Sequence, residues 1–244
     1  MIIRRLGWAM IVSLWMCSAA VVQSVPLTEE GAPRAPVYRF PMPDGPKLRV
    51  DGHVRGTDDA AFTLTVLTPE RAGLTTKDQP SLYWFQSKPI GNRFELAVTE
   101  KNAVKPLLAV RFDGASSGIQ RVRLSDYKIS LSEGVEYRWS VSIVQDPDDR
   151  SKDIVASGVI KRVKPTKKLL QRLQKAPASE LPYIYADEGV WYDSLDALSQ
   201  LVDAKPQDAK LHEIRAIYFM QVGLHDAAMH EMLSAGTTAK SQDR

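Results

Sequence analysis

The chain has 244 residues, 44% hydrophobic and 25% charged, ordinary globular material with enough length for one large core or two modest ones. Its net charge is +3, and two of those units are Arg4 and Arg5, so +1 remains beyond a cleaved leader. A nearly neutral body excludes the overall basic charge of a nucleic-acid binder. The single cysteine, Cys17, also falls in the leader, which excludes disulfides and thiol chemistry from the mature protein.

Residues 1–24 read as a secretory signal. Arg4 and Arg5 form a basic start, Leu6–Cys17 an apolar run, and Ser18, Ala19 and Ala20 offer small residues for cleavage. The run is short for a membrane span, and Trp15 and Met16 occupy positions where a lipoprotein signal wants small residues. The expectation is export to the periplasm. Residues 25–46 hold Pro26, Pro33, Pro36, Pro41, Pro43 and Pro46, too many missing N–H donors for a helix or inner strand. This segment reads as a linker, with a peptide arm for a partner groove as its functional alternative.

From Lys47 to Val163 apolar and polar residues alternate in short runs. Leu48, Val50 and Val54 begin it, followed by Phe62, Leu64 and Val66 and then by Leu82 and Trp84 opposite Tyr83 and Phe85. Phe94, Leu96 and Val98 continue, then Leu108, Val110 and Phe112, then Val122 and Leu124. The cleanest alternation sets Tyr137, Trp139, Val141 and Ile143 against Arg138, Ser140 and Ser142, and a return strand spans Ile154–Val163. Turn residues separate these runs, as at Gly56–Asp59, Lys77–Pro80 and Ser132–Gly134. About eight short strands with no helix between them predict an antiparallel, immunoglobulin-like β-sandwich with both outer faces in solvent. Trp139 is expected between the sheets.

At Pro165 the period changes to that of helices. Lys167–Lys175, Tyr183–Val202 and Ala209–Ala235 read as helical, and 236–244 as a frayed tail. Gly189, Ser194 and Leu198 recur 34 positions on as Gly223, Ala228 and Met232. That period, with a glycine between helices and a small residue where they cross, predicts a short tetratricopeptide-like hairpin array over 164–235. The fold class is therefore α+β. One unit and a partial neighbour are too few for a free-standing solenoid, so the hairpins are expected to pack on the β region or on a partner.

Several stretches taken in order carry a resemblance: Gly73-Leu74-Thr75, Pro80–Phe85, Tyr137-Arg138-Trp139-Ser140, Asp146–Ser151, Gly158–Arg162 and Gly189–Leu195. Over about Val54 to Leu224 the chain resembles the uncharacterised bacterial family catalogued as domain of unknown function number 928. The resemblance implies an exported bacterial protein and lends no catalytic residues.

Three readings stand for the acidic loop of Asp146, Asp148, Asp149, Arg150 and Asp153: a structural turn, a partner-recognition loop and a calcium site. The run Lys161, Arg162, Lys164, Lys167, Lys168 and Arg172 is either a solvated joint or a basic patch for an anionic surface. The histidines, His53, His212, His225 and His230, show no metal-ligand spacing. Tyr185, Trp191 and Tyr192 are core or the wall of a peptide-binding face. With no catalytic motif and no cofactor signature, the chain reads as a non-enzymatic binding or scaffold module of the envelope with a protein partner. No nucleic-acid partner is expected, and membrane association only through an uncleaved leader or the basic patch. The alternative is a carbohydrate-binding or glycan-processing protein, which exposed rings at Tyr83 and Phe85 or paired carboxylates in a cleft would favour.

Overall fold

The computed structural model describes residues 34–41, 44–54 and 62–242. The expected leader, the first part of the proline-rich segment and the Gly56–Asp59 turn lie outside the described residues. The rest is a mixed α+β fold with two sheets and five α-helices.

Nine strands run in chain order: β1 (Gly52–Val54), β2 (Phe62–Val66), β3 (Gly73–Thr75), β4 (Ser81–Gln86), β5 (Ile90–Glu100), β6 (Leu108–Ala115), β7 (Gly118–Arg123), β8 (Glu136–Ile143) and β9 (Ile154–Arg162). One sheet has the order β1-β2-β4-β7 and the other β3-β9-β8-β5-β6. All pairings are antiparallel except β3 with β9. Val50 and Ser157 exchange two backbone hydrogen bonds of 2.8 Å, so the chain touches the five-stranded sheet just before entering the four-stranded one.

Alternation decides what is buried. In β8, Tyr137, Trp139, Val141 and Ile143 turn inward, and Trp139 is 0% exposed in register with Val98 and Gly158. They share one apolar cluster with Phe94 of β5 and with Leu64, Val66 and Leu82 of the four-stranded sheet. In β4 both faces are buried, which departs from the expectation of a solvated outer face. Leu82 and Trp84 face one way, while Tyr83 and Phe85 are covered by helices.

The helices are α1 (Lys167–Lys175), α2 (Leu181–Asp187), α3 (Trp191–Ala204), α4 (Ala209–Met220) and α5 (His225–Gln242). Thr166 caps α1 by accepting the Leu169 N–H, and Asp208 caps α4 by accepting that of Lys210. Gly189 and Gly223 separate α2 from α3 and α4 from α5 at φ values of +72° and +71°, left-handed positions that favour glycine. Ser194 and Ala228 are buried, and the Ser194 hydroxyl donates to the Pro182 carbonyl of α2. The expected frayed tail is instead a continuation of α5 to Gln242, where no proline interrupts the helix. No helix among the described residues is long and apolar enough to cross a membrane.

The helical residues Trp191, Tyr192, Tyr218 and Phe219 belong to the same apolar cluster as the strands, so the described residues form one compact unit.

Candidate functional site

The proline-rich segment is not a free spacer over its described part. Arg34–Pro41 runs extended across the helical layer with Pro36 and Tyr38 buried, while Val37 and Arg39 face solvent. The Gln221 side chain at the end of α4 binds its backbone twice. Its amide oxygen accepts the Tyr38 N–H at 2.9 Å, and its amide nitrogen donates to the Pro36 carbonyl at 2.7 Å. On α2, the Arg39 N–H donates to the Ala186 carbonyl at 3.1 Å, and the Tyr183 hydroxyl to the Arg34 carbonyl at 2.8 Å. The Arg39 guanidinium lies 2.7 Å from Asp187.

The Tyr38 ring meets Trp191 edge-on at 5.1 Å, and Trp191 is stacked on Tyr218 at 4.6 Å. Burial pushes the Tyr38 hydroxyl well above the usual tyrosine range, so it stays neutral. A Cβ on Gly189 would come within 2.7 Å of the Arg39 carbonyl oxygen, so the arm passes where only glycine fits. Asp187 and Gln221 are 34 residues apart and are equivalent positions of the two helical units. Each unit therefore contributes the same position to one trough.

The same equivalence exposes a second surface. Ala186, Leu195, Leu198 and Ser199 of the first unit are at most 1% exposed, and α4 reaches that face through Arg215, which donates to the Ser199 hydroxyl. Their equivalents in the second unit are Met220, Met229, Met232 and Leu233, exposed by 49%, 60%, 44% and 69%.

Beneath the trough, buried polar groups lock helices to strands. Trp139 donates its indole N–H to the Tyr192 hydroxyl at 2.8 Å, which donates onward to Thr68 at 3.0 Å. Asp193 accepts from the Thr75 hydroxyl at 2.5 Å, the Thr76 N–H at 3.0 Å and the Thr76 hydroxyl. Burial nevertheless raises its carboxyl above the ordinary range. Asp196 accepts from Lys77 at 2.6 Å and Tyr83 at 2.9 Å. Its burial works against ionisation, yet Lys77 and the donated bonds bring it below the ordinary value. Burial and Asp196 push the Tyr83 hydroxyl up to about 12. Arg49 donates to the Thr68, Val222 and Gly223 carbonyls, tying the approach to β1 to the end of α4. These carboxylates are consumed in ties, with no oxygen presented to a cleft as in a pair built for hydrolysis.

A family model described as "Domain of Unknown Function (DUF928)" matches residues 50–232, three-quarters of the chain. The chain belongs to that family. The match covers both sheets and the helical units as far as Met232, and it takes in Gln221 and Asp187 but not the arm that they hold. No curated protein matches.

In this DUF928 chain the acidic-loop residues do come together, but around partners of their own. Asp146 accepts the Asp148 N–H, and Asp149 accepts the Ser151 N–H and hydroxyl. Lys152 bridges Asp146 and Asp149 at 3.1 Å, while Arg150 joins Asp153 and Glu95 at 2.7 Å. Among the described residues no group of three histidine, cysteine or acidic side chains is placed to hold a metal ion.

The basic run is divided. Lys168 and Arg172 pair with Asp187 and Glu188, seating α1 against the end of α2, and Arg162 donates to the Leu131 carbonyl. Lys164 and Lys167 stay exposed, and Lys161 lies near Glu136. His212 is buried in the helical hairpin, His225 is exposed at the start of α5, and His230 rests against Phe85. Tyr83 and Phe85 are 2% and 3% exposed, so the rings proposed for sugar stacking are covered. Trp191 and Tyr192 are core residues, and Trp191 is at the same time the floor of the trough.

A further groove of about 580 Å³ lies along the five-stranded sheet, between Pro46, Leu48 and Ala72 on one side and Thr99, Lys101 and Arg138 on the other. Of its carboxylates, Glu136 is held below the usual range by Lys101 at 2.7 Å, the wrong direction for a proton donor. Sequence reasoning did not single out Gln221 or Asp187. The signal that finds them is the 34-residue period applied to polar positions rather than to glycines and apolar ones.

Proposed function

We propose that this protein is a non-enzymatic binding module of the bacterial envelope, exported by the leader of Arg4, Arg5 and Leu6–Cys17. In this reading an immunoglobulin-like sandwich supports a tetratricopeptide-like hairpin pair, and the pair holds an amphipathic helix of a partner protein. The observation that carries it is the change of exposure between equivalent positions of the two units: Leu195 and Leu198 are covered, Met229 and Met232 open. The cover on the first unit is itself a helix, and the open face has the same i, i+3, i+4 layout at Met229, Met232 and Leu233. Methionines suit such a surface because their flexible thioethers adapt to a partner's shape.

The test places a photoreactive side chain at position 229 of the full-length protein in its cells and maps the cross-linked residues. The expected result is adducts at apolar positions spaced three and four apart in a partner helix, lost when Met232 and Leu233 are changed to Glu. Adducts between two copies of this chain, no adduct at all, or adducts insensitive to those changes would overturn the reading. Recovery of the protein in the cytoplasm with residues 1–20 intact would overturn the placement in the envelope.

A further inference from the structure

The trough between α2 and α4 already contains an extended peptide, and how it is held says what it is built to hold. A segment fixed as part of a core is held by side-chain packing. The arm packs Pro36 and Tyr38 inward and is held besides through its backbone: Gln221 takes one N–H and one carbonyl, Ala186 takes an N–H, and Tyr183 takes a carbonyl. Backbone bonds of this kind do not depend on which residues the segment carries, and they recur where domains bind extended peptides. Selectivity enters at three points, the first of them the buried Pro36. Tyr38 fills the site against Trp191, and Arg39 reaches Asp187. Val37, between Pro36 and Tyr38, faces outward at 71% exposure.

The two units contribute equivalent positions, Asp187 and Gln221, so the trough follows the period of the helices rather than any feature of the arm. Gly189 keeps the path clear for a passing backbone.

We propose that this trough is a peptide-recognition site which the chain fills with its own residues 34–41, and that an extended segment of a partner protein takes their place. The partner segment carries a proline, an aromatic residue two positions later and a cation directly after it. It is a second site, separate from the Met229 face, so either can fail without the other. The covalent link sets the terms of competition. A short linker holds the arm at an effective concentration in the millimolar range, so a free peptide of equal intrinsic affinity competes poorly until that link is cut.

The experiment uses the full chain with a protease site inserted after Pro41, and as probe a fluorescent peptide of the sequence Arg34–Pro41. Before cleavage the peptide is expected to bind weakly. After cleavage its apparent affinity rises by roughly tenfold or more as the tethered competitor is lost. Gln221→Ala in the cleaved protein weakens binding by about tenfold, the loss of two backbone bonds. Replacing the peptide's tyrosine with alanine removes binding, and replacing its second arginine weakens it in a salt-dependent way.

In the uncut protein, the Tyr38 and Arg39 amides should exchange with solvent faster than the core of β8, through local opening of the arm. Exchange at the global rate, or a cleaved protein that unfolds instead of exchanging its arm, would mean the arm is a fixed part of the core and overturn the proposal. Uncut protein that pairs by swapping arms would give the trough to a second copy and overturn the partner assignment.

Discussion

His212 presents both ring nitrogens to acceptors, Nδ1 to the Glu231 carboxylate at 2.8 Å and Nε2 to the Pro206 carbonyl at 3.1 Å. Two acceptors are both served when the ring carries two N–H groups, so the site favours the imidazolium. The groups facing it are Glu231 from α5 and Arg215 from its own helix, and Arg215 binds the same carboxylate at 2.8 Å and 2.9 Å and Ser199 on α3. Glu231 raises the His212 pKa above 6.5, and the two cations outweigh burial to bring Glu231 below 4.5. The stabilisation from His212 is therefore full below 6.5 and fades as pH rises through its raised folded value. That from Glu231 is present above 4.5 and fades as pH falls through its lowered value. Urea midpoints should decline from pH 5.5 to pH 8.5, and His212→Gln should flatten that decline. An unchanged slope in the variant would remove the imidazolium from the account. Little of this was legible beforehand, because His212 and Glu231 are joined across two helices and no ligand-like spacing marks them.

Among the elements, the β8–β9 hairpin was the most legible, since a period of two reports directly which side chains turn inward. Its acidic loop has each of Asp146, Asp149 and Asp153 engaged by an N–H or a cation of the same loop. Removing calcium with a chelator should leave the melting temperature unmoved. A fall of many degrees, reversed by calcium, would return the loop to the metal reading. The outer face of β4 was misread for a physical reason. Tyr83 and Phe85 alternate just as solvent-facing residues do, and the helices that cover them come more than a hundred residues later. The arm was the least legible element, because proline content predicts an extended backbone but not what it lies against.

For the molecule as a whole, the sheets and helices share one core and a set of buried ties: Trp139 to Tyr192, Thr75 and Thr76 to Asp193, Lys77 and Tyr83 to Asp196, and Arg49 to the end of α4. Separating the parts would leave Asp193 and Trp191 with apolar surroundings stripped and polar partners gone. Residues 164–244 expressed alone should be largely unfolded or self-associated by circular dichroism and sedimentation. A monomeric fragment with a sharp cooperative melt would show that the ties are dispensable. The repeat period pointed to this dependence, since two helical units cannot close their own apolar faces.

The arm also sets an order of events. Tyr38 and Pro36 bind a side chain 183 and 185 positions further on, so the part of the described chain synthesised first is among the last to find its place. Contacts so distant in sequence form late, because the whole intervening loop must close before they bring any return. Every newly made molecule thus passes through an interval in which the helices have formed and the trough stands open. During that interval a partner meets no tethered competitor, and an assembly disfavoured in the finished protein is open to the nascent one.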